Sequence, residues 1–106
     1  MIVVTTPQIP GKKVTRVYGL VRGNTIRARH LGHDIIAGLR TIVGGEVHEY
    51  TKLMAESREQ AIDRMVAEAK SLGANAILGC HFTTSLLARG AAELLAYGTA
   101  VIVVDE

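Results

Sequence analysis

Tryptophan is absent from these 106 residues, phenylalanine and cysteine occur once each, and both prolines fall within the first ten positions. The lone Cys80 excludes an intrachain disulfide, and with it the paired-cysteine signature that makes a structural zinc site convincing. So few aromatics leave Val, Ile, Leu and Ala to supply the apolar mass of a chain that is 48% hydrophobic. No uninterrupted apolar run approaches the roughly 20 residues of a membrane span. The opening MIVVTT has no basic stretch ahead of its short apolar run and does not read as a signal peptide, so the cytoplasm is the expected compartment. The 21% charged fraction, set beside this apolar content, excludes a disordered chain. What remains is one domain, 1–106, with a modest aliphatic core that self-association would enlarge.

Charge is unevenly divided. Residues 1–45 carry seven basic side chains (Lys12, Lys13, Arg16, Arg22, Arg27, Arg29 and Arg40) against Asp34 alone, a balance of +6, while residues 46–106 hold five basic against nine acidic, a balance of −4. Nucleic-acid surfaces usually interleave such cations with stacking aromatics, and this basic half has only Tyr18. The asymmetry argues instead for the basic half of one subunit meeting the acidic half of another.

Along the chain, β-branched Ile2 to Thr5 reads as a first strand ended by Pro7, Pro10 and Gly11. Val14 to Arg22 reads as a second, with Gly19 marking a bulge or a close backbone approach and Gly23-Asn24 a turn. Leu31, Ile35, Leu39 and Ile42 recur at helical spacing and predict a short helix ended by Gly44-Gly45. Glu46 to Leu72 predicts a long amphipathic helix, striped by Val47, Tyr50, Met54, Ala61, Met65 and Leu72 and ended by Gly73. About 27 residues at 1.5 Å each span roughly 40 Å, too long for a compact domain of this size, so the helix must bend or overhang. Ala76 to Thr84 and Leu94 to Val104 read as two further strands around Ala88-Arg89-Gly90, and the last is apolar on both faces. The overhang and the doubly apolar strand both point to an oligomer. The order β, β, α, α, β, β points to an α+β fold.

These segments resemble the small YbjQ-like proteins of bacteria and archaea. The resemblance rests on Asp34-Ile35-Ile36-Ala37-Gly38-Leu39-Arg40, Ile42-Val43-Gly44-Gly45-Glu46, Tyr50-Thr51, the helix residues Arg58, Ala61, Arg64-Met65 and Ala69, the turn Leu72-Gly73-Ala74-Asn75-Ala76-Ile77, and Tyr97-Gly98-Thr99-Ala100-Val101. That family, described as "putative heavy-metal-binding", implies a dodecin-like subunit, a mainly antiparallel sheet packed against one long and one short helix, assembled into a pentameric ring.

Four residues stand out as metal ligands: His30, His33, Cys80 and His81. His30 and His33 are three apart at the start of the predicted short helix, where both imidazoles would share one face. Against this stands the ordinary role of such residues as the polar start of an exposed helix. Cys80 and His81 are neighbours on a strand, so their side chains point apart unless Gly79 introduces a bulge, and a buried inert thiol is the plainer reading. The pair is also where the sequence departs from the family's pattern, which would make a metal role there particular to this chain. Zinc or copper(I) is the ion such donors would take. Gly38 and Gly44 lack the lysine and hydroxyl residue of a phosphate-binding loop. The leading expectation is a non-enzymatic homopentamer that holds a metal or small ligand at subunit junctions. Its rivals are a purely structural oligomer and, third, an enzyme using Cys80 with His81 as nucleophile and base.

Overall fold

The computed structural model describes residues 1–27, 45–88 and 91–106. Strand β1 (Ile2–Val3) leads to β2 (Lys12–Arg27), helix α1 (Gly45–Leu72), β3 (Ala76–Ala88) and β4 (Ala91–Asp105). The short helix expected over Leu31–Ile42 lies outside the described residues. The four strands form one mixed sheet in the order β1-β3-β4-β2, with β1 parallel to β3 and the other neighbours antiparallel. This is a small α+β fold, one helix across one face of a mostly antiparallel sheet.

Strand β2 runs well past the turn expected at Gly23-Asn24. The glycine there serves a different purpose, because a Cβ on Gly23 would fall onto the Ala61 carbonyl oxygen and the Met65 amide of α1. Helix and strand backbones therefore touch at Gly23, and small residues line the contact on both sides: Ala61 and Ala69 from α1, Ala96 and Ala100 from β4. Val21, Met65, Ile77 and Cys80 fill the remaining volume. Thr25 and Ser57 are buried in the same layer, and the Thr25 hydroxyl donates to the Ser57 carbonyl at 3.2 Å. Ser57 is fully buried inside a stripe that the spacing of apolar residues does not mark, whereas Leu72, counted into that stripe, is 44% exposed at the helix end.

Gly73 ends α1 as expected. Its φ is +96°, its N–H donates to the Lys70 carbonyl at 3.0 Å, and the Ala74 N–H donates to the Ala69 carbonyl at 3.1 Å, a Schellman pair that satisfies two terminal carbonyls. Asn75 then splices the chain into the sheet. Its side chain donates to the Val103 carbonyl at 2.9 Å and accepts from the Val103 N–H at 2.8 Å.

Among the described residues the sheet's second face is covered at one end, where Val4 and Ile9 of the N-terminal segment pack on Ala76, Leu78, Val101 and Val103. The expectation of a last strand buried on both sides holds on the second face, at Val101 and Val103. It fails for Val104, which is 39% exposed, because its register partner is Lys13, beyond the Tyr18 level at which α1 ends. The helix is as long as predicted, 28 residues, and the molecule is elongated to match its long strands: it extends 56 Å, and its radius of gyration is 17.1 Å where about 13 Å suits a compact chain of this length.

Candidate metal and ligand sites

Two glycine bulges decide which side chains reach which face. In β2 the register shifts between Val17 and Gly19, whose φ is +106°. In β3 it shifts between Leu78 and His81, with Gly79 at φ +60°. Unbulged alternation would place Ile77 and Cys80 on opposite faces. The extra residue instead turns both under the helix, where Cys80 is 4% exposed and its N–H donates to the Val4 carbonyl at 2.9 Å.

His81 leaves the strand on the other face. It is exposed, and its ring meets Tyr97 edge-on at 5.9 Å between centroids. The bulge that would have allowed Cys80 and His81 to converge is there, yet it acts to bury the thiol and leaves the imidazole outside. Burial pushes the Cys80 thiol up from its ordinary pKa, which disfavours the thiolate that metal binding and nucleophilic attack both require. His30 and His33 lie outside the described residues. Among the described residues no group of three or more His, Cys, Asp or Glu side chains is placed to hold a metal ion.

The open face carries a grouping that sequence reasoning missed. Arg22, Tyr97 and His81 occupy one row across β2, β4 and β3, since Arg22 and His81 are both register partners of Tyr97. Their flanking residues place them: Val21, Gly23, Ala96, Gly98 and Cys80 are all buried toward α1, so the row faces away from it. One row on, Thr99 and Leu78 line an open hollow of about 380 Å³ together with Pro7, Val14, Val17, Gly79 and Val101. Period-two alternation in β2 and β4 could have put Arg22 beside Leu20 and Tyr97 beside Thr99. The cross-strand register that unites them depends on both bulges and on pairing between distant segments, which no local pattern gives.

Elsewhere the basic β2 is partly engaged. Lys12 pairs with Asp105 at 2.6 Å and holds that carboxyl below its ordinary pKa, by the hydrogen bond first and by charge second. The Arg16 guanidinium lies 4.8 Å from the centre of the Tyr18 ring, and Arg64 donates to the Asn24 carbonyl at 2.5 Å. Glu93 accepts from the Asn24 side chain at 3.1 Å. Arg22 makes no ion pair among the described residues. No described helix is long and apolar enough to cross a membrane.

Residues 1–104 match a family whose description is "Putative heavy-metal-binding". A UPF0145 protein of Pyrococcus horikoshii is 58% identical over 103 residues, covering 97% of this chain and 88% of the relative. Another, from Methanosarcina acetivorans, is 52% identical over 105 residues and covers 99% of both. A crystal structure from Pediococcus pentosaceus, of a protein with unknown function in the DUF74 family, superposes with a TM-score of 0.62 at 15% identity over 98% of both chains and shares the fold.

Proposed function

The chain belongs to the YbjQ family of UPF0145 proteins, and from that premise we propose that it forms a non-catalytic cytoplasmic ring of five dodecin-like subunits, holding a heavy metal or small ligand at the junctions between copies. The observation that carries the assembly is the edge strand β2. It is sixteen residues long, has no strand on its outer side among the described residues, and exposes Val14, Val17, Leu20 and Ile26, each by more than 40%. A long unpaired strand edge is a template for another strand, and the basic side chains of β2 suit the acidic half of another copy.

The opposite edge is open too. Backbone bonds from the N-terminal segment reach β3 only as far as Cys80, which leaves His81 to Ala88, paired with β4 on one side, without a strand on their outer side among the described residues. Both β2 and β3 run antiparallel to β4 and hence parallel to each other. Joining β2 of one copy to β3 of the next is a head-to-tail contact, the kind that closes into a ring. The number five comes from the family resemblance. In such a ring the open sheet faces stand side by side at each junction, where a ligand would meet residues from two copies.

A closed zinc site needs about four ligands, and a single copy does not supply them from its described residues. This supports a metal held across copies. The test is titration of zinc and copper(I), with mass readout, into the wild type, Cys80→Ser and a His30→Ala, His33→Ala double variant. Binding that follows the assembled species and weakens in one variant supports the metal reading. Unchanged affinity in both variants removes these residues from it, and nothing tighter than millimolar in the wild type leaves the ring a structural one.

A further inference from the structure

The sheet's open face combines two features, a polar row and an apolar hollow. The row of Arg22, Tyr97 and His81 offers a fixed positive charge, a phenol hydroxyl and an imidazole, all on one face across three adjacent strands. Neighbouring strands lie about 4.8 Å apart, so the row spans roughly 10 Å. Beside it lies the apolar hollow bordered by Val17, Leu78, Thr99 and Val101, with Thr99 one residue pair on from Tyr97 along β4. A guanidinium with no ion pair among the described residues, next to apolar walls, complements an anion that carries an apolar body.

We propose that this face binds a small amphiphilic carboxylate, its head on Arg22 with Tyr97 and His81 and its apolar body in the hollow over Leu78 and Val101. One guanidinium matches the single charge of a carboxylate, taken in two parallel N–H to O bonds, and the Tyr97 hydroxyl is a further donor at the head. The hollow's lining is almost wholly aliphatic, which suits a short alkyl chain. This names a ligand class for the ligand-binding part of the reading above and rests on that part alone. It does not depend on a metal or on the number of copies.

The experiment titrates octanoate into the full-length protein by calorimetry. Acetate supplies the head alone, octanol the body alone, and octyltrimethylammonium the opposite charge. Octanoate is expected to bind at least 100-fold tighter than acetate and at least 10-fold tighter than octanol, with no detectable binding of the cation. Arg22→Gln, at an exposed position, is expected to weaken octanoate at least 10-fold while leaving octanol unchanged, and Tyr97→Phe to weaken it by a smaller factor. Octanoate no tighter than millimolar, equal binding of octanol, or an Arg22→Gln protein that binds as the wild type does would each overturn the proposal. A native mass measured on the same samples separates the two readings: a pentamer that ignores octanoate refutes only this one, and a monomer that binds it refutes only the assembly.

Discussion

The two faces of the sheet are built from similar residues and end in opposite states. Under α1, glycine and alanine draw the backbones together, and Val21, Ala61, Met65, Ala69, Ile77, Ala96 and Ala100 are fully buried. On the other face, away from the small cluster at the N-terminal end, Val17, Leu20 and Ile26 are aliphatic too, yet each is more than half exposed. Burial thus follows cover, and the same β-branched and aliphatic vocabulary that makes a core on one side makes an unsatisfied surface on the other. A monomer with this second face in water forgoes roughly 25 cal/mol for each Å² of apolar surface left there.

Breaking the covered face should have the largest effect. Gly23→Val places side-chain atoms on the α1 backbone, which cannot yield as a flexible side chain would, so a cost above about 3 kcal/mol and failure to fold in a urea titration are expected. Its counterpart on the open face, Leu20→Lys, should leave the far-UV spectrum unchanged and alter only the assembled mass. Truncation sharpens the contrast. Met65→Ala is expected to cost about 2–5 kcal/mol, against less than about 0.5 kcal/mol for Leu20→Ala in the subunit itself.

A smaller effect is expected where α1 hands over to the sheet. Asn75→Ala removes both bonds to Val103 and should cost about 1–3 kcal/mol by urea denaturation, with the strand otherwise intact.

The smallest effect concerns Cys80. Because burial raises its pKa in the folded state, its contribution to stability is fully present below the unfolded thiol's pKa, near 8.5, and is lost as pH rises through the folded value. A modest decline in stability above about pH 8.5 that is absent from Cys80→Ala, together with native thiol labelling on the order of 100-fold slower than in the unfolded chain, would confirm a closed helix face. Rapid labelling would show that face to be open.

Much of this contrast was legible in the residues. The long helix and its glycine stop follow from periodicity and length, because those signals are local. The bulge at Gly19 was likewise visible as a glycine within a strand pattern. Gly23 misled, since a glycine beside an asparagine looks like a turn when nothing local shows that a helix backbone must pass over it. Ser57 was invisible for a related reason: a small hydroxyl that donates to the Leu53 carbonyl at 2.9 Å can be buried without breaking the packing, but it does not join an apolar stripe. As for the sites, Cys80 and His81 were found by chemistry, and their separation depended on the bulge at Gly79. The Arg22, Tyr97 and His81 row belongs to three distant segments and becomes a unit only through register.

The central claim is that the open face and the free edges of β2 and β3 meet other copies of the chain. Native mass spectrometry at micromolar concentration tests it most directly, on the wild type and on a Val17→Lys, Leu20→Lys variant whose substitutions sit at positions 62% and 63% exposed in the subunit. The account predicts five times the chain mass for the wild type and a folded, dissociated subunit for the variant. A wild type that runs only as a monomer, or a variant that keeps the full assembly, would contradict it.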